Sequence, residues 1–170
     1  MRPYGDLFLE PKFDNMPDDL KSLPWAVWIA EPRPNKPGKF NKAPRCPKSG
    51  RKIGANKPEL FGTYDEAVVA FNTGEFTGVG ILFTGNGLIG IDIDDVRQTL
   101  SEVPGVKKWL RSARAAGAYC ELSPSGTGLR LFFRDEPLPG TGRKSGPLEI
   151  YDNKRFLTVT GHTLPHAGAQ

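Results

Sequence analysis

Histidine and cysteine are scarce in this 170-residue chain, with two of each. The histidines, His162 and His166, stand near the C-terminal end. They offer no cluster for a histidine–metal nicking nuclease, and no tyrosine pair at helical spacing supplies its nucleophile. Cys46 and Cys120 are far apart and in no metal-ligand spacing, so they read as free thiols in a reducing compartment. No apolar run is long enough to span a membrane, and no signal peptide is visible. The expectation is a soluble cytoplasmic protein with no membrane partner. There is no internal repeat and no mark of a serine hydrolase. Gly85-x-Gly87 lacks the helix that a dinucleotide-binding turn needs after it. Acids are missing from one long stretch. Between Glu31 and Glu59 stand Arg33, Lys36, Lys39, Lys42, Arg45, Lys48, Arg51, Lys52 and Lys57, with no carboxylate among them.

The residues that are present point to one domain with a modest core. The hydrophobic fraction is 38%, against 16 prolines and 20 glycines. The net charge is +4 and the pI about 9.1, which suits a polyanionic partner. Residues 1–20 are polar and read as a flexible N-terminal arm, with a short turn at Pro17 to Lys21. Trp25 to Ala30 reads as a strand, and Lys39 to Cys46 as a second strand pairing back on it. The prolines at 34, 37, 44 and 47 exclude a long helix in the basic tract. That tract is either a solvated loop or a surface for phosphates. Thr63 to Phe71 reads as a helix. Thr63 is its cap, Glu66 completes a capping box, and Ala67, Val68 and Phe71 form its buried stripe.

The central stretch, Gly78 to Asp95, reads as a β-hairpin. Val79, Ile81 and Phe83 mark the first strand, Thr84-Gly85-Asn86-Gly87 the turn, and Leu88 to Asp94 the second strand. A helix over Val106 to Ala115 follows. It places Val106, Trp109, Leu110 and Ala113 inward, Lys107, Lys108, Arg111 and Arg114 largely outward, and Gly117 at its stop. Strands are expected at Ala118 to Leu122, Leu129 to Phe133, Leu148 to Tyr151 and Phe156 to Thr160, with a long loop from Arg134 to Pro147. Hairpins outnumber βαβ units, so the fold class is α+β, a mixed or antiparallel sheet flanked by a few helices.

Three constellations carry chemistry. Asp92 and Asp94 share one face of a strand, their Cβ atoms roughly 6–7 Å apart. Two like charges placed so repel, and a divalent cation between them removes the penalty. The other reading is a helix cap at Asp94 or Asp95 for a helix starting at Val96. Ser123 to Arg130 (SPSGTGLR) is either an ordinary hairpin loop or a nest of N–H groups and hydroxyls for a phosphate, with Arg130 as a fixed bidentate cation. Glu149 faces away from Leu148 and Ile150. It is a surface glutamate, or, if its strand lies beside Asp92, the third carboxylate of a site for two Mg²⁺ or Mn²⁺ ions.

Asp-x-Asp, then SGxGLR, then a strand glutamate followed by RFLTVTGH form an ordered set. This set resembles the archaeo-eukaryotic primase superfamily, and most closely the N-terminal primase–polymerase domain of phage- and plasmid-borne replication proteins. The resemblance runs from about Trp25 to His162 and includes Lys42-Ala43-Pro44 and the helix at Thr63 to Ala67. It implies a primase–polymerase domain over residues 21–162. Residues 163–170 would be a tail leading on into a longer replication protein with a helicase. It implies Asp92, Asp94 and Glu149 as catalytic metal ligands for Mg²⁺ or Mn²⁺. Ser125, Gly126, Thr127, Gly128 and Arg130 would contact a nucleoside triphosphate, with Arg155 and His162 as further nucleotide contacts. The family's usual residue at position 130 is histidine. Arginine keeps the charge there but cannot donate a proton. Single-stranded DNA would run over Lys42, Arg45, Lys48, Arg51, Lys52, Arg143 and Lys144. The implied activity is template-directed nucleotidyl transfer in a bacterial cell. The alternatives are a non-catalytic nucleotide- or DNA-binding relative and a metal-dependent nuclease.

Overall fold

The computed structural model describes residues 1–136 and 143–164. In chain order the elements are α1 (Asp18–Lys21), β1 (Trp25–Trp28), β2 (Glu31–Pro32), β3 (Phe40–Asn41), β4 (Pro44–Arg45), α2 (Tyr64–Asn72), β5 (Gly78–Thr84) and β6 (Leu88–Ile93). There follow α3 (Val96–Glu102), α4 (Val106–Ala115), β7 (Tyr119–Leu122), β8 (Leu129–Arg134), β9 (Arg143–Ser145), β10 (Leu148–Tyr151) and β11 (Asn153–Val159). The fold is α+β. One sheet runs β11-β5-β1-β4, a second runs β7-β8-β6-β10-β9, and β2 pairs with β3 alone. Every described pairing is antiparallel.

The expected central hairpin does not form. β5 and β6 follow one another but lie in different sheets. Both edges of β5 are taken, by β1 and β11, and both edges of β6 by β8 and β10. Gly85 donates its N–H to the Asp152 carbonyl at 2.9 Å, which continues the β11 pairing around the corner. Gly85 and Gly87 have φ of +75° and +88°, and this left-handed backbone carries the chain from one sheet to the other. The two strands meet face to face instead. A Cβ on Gly90 would lie 2.2 Å from the Phe83 ring, so the absence of a side chain on β6 makes room for that ring.

Two apolar clusters hold the layers together. The first lies between the sheets and α2. It joins Trp25, Val27, Phe71, Ile81 and Phe83 to Leu88, Phe132 and Tyr151 of the five-stranded sheet. The second lies on that sheet's other face, where Val106 and Leu110 of α4 cover Ile91, Ile93, Leu129 and Leu131. Each large apolar side chain so buried contributes about 1.5–3 kcal/mol. α2 carries the expected capping box, with the Glu66 N–H donating to Thr63 Oγ1 and the Thr63 N–H to Glu66 Oε2. Its buried stripe is Ala67, Ala70 and Phe71, with Val68 only half-buried.

Other expectations change in detail. The second strand of the basic tract is two short pieces: β4 pairs with β1, and β3 with β2. α4 spans the predicted residues, but Trp109 stays 39% exposed. Part of the predicted loop from Arg134 to Pro147 is β9; residues 137–142, like 165–170 of the predicted tail with His166, lie outside the described residues. The arm over residues 1–20 is tied to the body. Leu9 N–H donates to the Pro124 carbonyl, Lys12 N–H to the Thr160 carbonyl, and Met16 and Leu20 are buried in the first core.

Candidate active site

Strand alternation gives the five-stranded sheet two faces, and the face toward the other sheet changes character along its length. Leu88, Gly90 and Asp92 point that way from β6, as do Phe132 and Arg130 from β8. At one end this face is apolar and sealed by the first core. At the other end the register builds a row of charges across the strands. Glu121 pairs with Arg130, Arg130 with Asp92, Asp92 with Glu149, and Glu149 with Lys144. The row reads acid, base, acid, acid, base. Its one like-charge neighbour pair is Asp92 beside Glu149, and directly opposed like charges on a sheet are destabilising.

Cations answer that repulsion from within the protein. Arg130 Nε donates to Asp92 Oδ1 at 3.2 Å, and its Nη1 donates to the carbonyl and hydroxyl of Thr158 on β11. Arg130 is 5% exposed and wedged between the sheets. Lys144 Nζ bonds Glu149, and Arg155 approaches Glu149 Oε2 at 3.5 Å while donating to the Tyr151 hydroxyl. Asp94 is exposed just past the end of β6, with its N–H on the Pro147 carbonyl and its carbonyl receiving the Thr99 hydroxyl. Partial burial, then the charges of Asp92 and Glu149, push its carboxyl above the ordinary aspartate range. The helix cap falls to Asp95, whose Oδ1 accepts the Gln98 N–H at 3.4 Å, so Asp94 keeps its side chain free of that duty.

Hard carboxylate oxygens with mutual repulsion are the donor set that suits Mg²⁺ or Mn²⁺. Among the described residues no three acid, histidine or cysteine groups close on one point, because Asp92 is turned to Arg130 and Glu149 to Lys144.

The loop between β7 and β8 is a hydroxyl chain. Ser123 Oγ lies 3.2 Å from Ser125 Oγ, which lies 2.9 Å from Thr127 Oγ1. Ser125, Gly126 and Thr127 are exposed, while Gly128 is buried with its N–H on Ser123 Oγ. His162 Nε2 lies 2.7 Å from the Glu10 carbonyl, so its ring is held by the N-terminal segment.

The basic tract divides. Lys42 is half-buried within electrostatic reach of Arg130, Asp92 and Asp94; burial and then Arg130 pull its ammonium below the ordinary lysine range, against the pull of the two aspartates. With Arg155 it lines a cleft of about 400 Å³ between β3, β4 and β11. Arg45 and Lys52 are paired with Glu31, and Lys48 with Glu66. Arg51 and Arg143 are exposed.

One member of the charged row escaped the reading of the sequence. Glu121 is fully buried and accepts the N–H groups of Thr160 and Gly161 and the Tyr119 hydroxyl. Burial raises its carboxyl above the ordinary range, against those donors and the charge of Arg130. The signal was there. Glu121 alternates with Cys120 and Leu122 as Glu149 does with Leu148 and Ile150, so its face opposes the apolar one.

No family model matches the chain. Over 148 residues it is 28% identical to a protein named DNA primase-polymerase from Nitratiruptor phage NrS-1, a match that covers 82% of this chain. That similarity supports a primase–polymerase domain. The chain spans 19% of the phage primase-polymerase's length. No helix among the described residues is long and apolar enough to cross a membrane.

Proposed function

We propose that this chain is a nucleotidyltransferase domain that adds nucleoside triphosphates to a 3′-hydroxyl opposite a single-stranded DNA template. The observation that carries the reading is the register of β10 on β6, which sets Glu149 opposite Asp92 with Asp94 two residues on. Asp92, Asp94 and Glu149 would hold Mg²⁺ or Mn²⁺. Such ions, when bound, lower the pKa of an attacking hydroxyl and offset phosphate charge. Arg130 orients Asp92 from beneath, with its other end fixed on Thr158. Lys42 and Arg155, beside the carboxylates, would meet the phosphates of an incoming triphosphate, and the Ser125–Thr127 hydroxyls offer donors just before β8. In the reaction a P–O bond forms at the α-phosphorus and pyrophosphate leaves. A helicase elsewhere in a longer chain would supply the template.

The test is primer extension on a DNA template with Mg²⁺ and with Mn²⁺. Wild-type chain should extend, and the double variant D92N/D94N should fall to background while staying folded, with a lowered melting temperature because buried Arg130 loses its carboxylate partner. Extension that persists in the folded double variant overturns the assignment. One observation favours a second reading, a nucleotide- or DNA-binding relative without catalysis: Asp92 and Glu149 are already engaged by Arg130 and Lys144. Triphosphate binding without extension in either metal would select it.

A further inference from the structure

Glu121 is a buried carboxylate that the proposed reaction does not use. It stands on β7, on the face of the five-stranded sheet that carries the charged row, directly across from Arg130. No part of it is exposed. Its hydrogen-bond partners among the described residues are all donors: the Thr160 N–H at 2.9 Å, the Gly161 N–H at 2.8 Å and the Tyr119 hydroxyl at 2.9 Å. Burial, then the charge of Glu121, push the Tyr119 phenol above its ordinary range, so that hydroxyl keeps the proton it donates. Three donors favour the charged form of the carboxyl, against the burial that disfavours it.

A clamp between β7 and the residues after β11 needs acceptors only. A neutral carbonyl supplies one without burying a charge, and a buried charge is tolerated only beside a partner of opposite sign. The cation beside Glu121 is Arg130, itself 5% exposed. Arg130 therefore has a carboxylate on each side: Glu121 from β7, and Asp92 from β6, which accepts its Nε–H at 3.2 Å. The charge of Arg130 also reaches Asp94 and Lys42. When Asp92 and Asp94 turn to a divalent ion, Arg130 loses part of its neutralisation and faces a second positive centre. Solvent and salt screen a buried guanidinium little, so an uncompensated Arg130 would oppose that ion. With Asp92, Asp94 and Glu149 as the metal ligands, the reading on which this inference rests, we propose that Glu121 is the counter-charge of Arg130 that leaves the two aspartates free to hold the ion. It is a positioning residue that acts through Arg130 and touches neither metal nor nucleotide.

The experiment titrates the whole chain with Mn²⁺ at fixed salt, without triphosphate or DNA. Binding is followed by loss of the free-ion paramagnetic resonance signal, beside a thermal melt of each sample. Sucrose in every sample supports the fold of weakened variants. Glu121→Gln should weaken Mn²⁺ binding on the order of tenfold, the low end of what altering a residue behind a metal ligand does. Glu121→Asp keeps the charge on a shorter arm, so it should melt lower yet hold Mn²⁺ within about twofold of wild type. R130Q and E121Q/R130Q should bind Mn²⁺ alike, within about twofold, since neither retains a guanidinium to offset. Folded E121Q with wild-type affinity overturns the proposal. So does an E121Q loss that recurs undiminished when Arg130 is already gone. A folded E121D that loses about tenfold overturns it as well, whether or not E121Q folds, because shape and not charge then matters. Binding that D92N/D94N abolishes and E121Q leaves intact removes the role of Glu121 and keeps the carboxylate site. A wild-type chain without Mn²⁺ affinity, or with affinity that D92N/D94N leaves intact, overturns both.

Discussion

Arg130 shows how a single side chain connects the two sheets to the carboxylates. Its guanidinium has rigid donors in a plane, one edge on Asp92 and another on Thr158, and lysine has no such fork. Losing one partner of a buried pair costs about 3–5 kcal/mol because the other is left uncompensated. R130K keeps the charge and loses the fork. It should fold, with a lowered melting temperature, and its Mn²⁺-supported extension should fall on the order of 10–100-fold, as when a residue that orients a metal ligand is changed. Steady-state extension assays beside a thermal melt check both. The two thiols differ for a reason at the same scale. Burial pushes Cys120 up to about 11. At Cys46 burial also opposes ionisation, but hydrogen bonds from Ser49 and nearby backbone, with the charge of Lys48, outweigh it and hold the thiol below its ordinary value. The thiolate is the reactive form. At pH 8 a disulfide reagent should therefore titrate one thiol in the native chain, Cys46, and the second only after denaturation.

Among the elements, the passage from β5 to β6 decides the architecture. A hairpin would have kept both strands in one sheet and set Asp92 beside β5. The actual crossing frees both edges of β6 for β8 and β10, and those neighbours bring Arg130 and Glu149 to Asp92. The crossing is held by the Phe83 ring over Gly90. Gly90→Ala should destabilise the fold by about 1–3 kcal/mol through overpacking. Phe83→Leu in the same chain should recover part of that loss by vacating the ring's space. Denaturant melts of the single and double variants measure it, and an additive double variant would show that the two positions are not in contact.

For the whole molecule, the N-terminal segment acts as a strap. It crosses from the first core, where Arg2 lies 3.7 Å above the Phe71 ring, to the Pro124 carbonyl, and its Glu10 carbonyl meets His162. It thus links α2, the hydroxyl loop and the end of β11. Removing residues 1–9 takes away the Leu9 bond to Pro124 and the Arg2 stack but leaves Met16 and Leu20 in the core. The truncated chain should fold with a lower melting temperature. Amide exchange should rise in the Ser123–Thr127 loop before it rises in β6. Equal protection of that loop in both chains would remove the strap from the account of the site.

Local rules settled much of this in advance. The capping box of α2 lies within four residues, and the amphipathic span of α4 within ten, so their codes are complete in short windows of chain. The alternation that separates Asp92 and Glu149 from their apolar neighbours is likewise a property of each strand alone. Which strands neighbour one another is not. Gly85 and Gly87 permit a hairpin and a crossing between sheets equally well, and only competition among β1, β11, β8 and β10 for strand edges chose the crossing. Arg130 reads as a phosphate-binding cation on the strand after a glycine-rich loop, yet its side chain is buried and spent on Asp92 and Thr158, because β11 closes over it. Trp109 reads as core, yet it is 39% exposed beside a cavity that it shares with Leu148 and Ile150 of β10. Side-chain direction follows from the period of the chain, but the partner it meets is set by the packing of segments far apart in sequence.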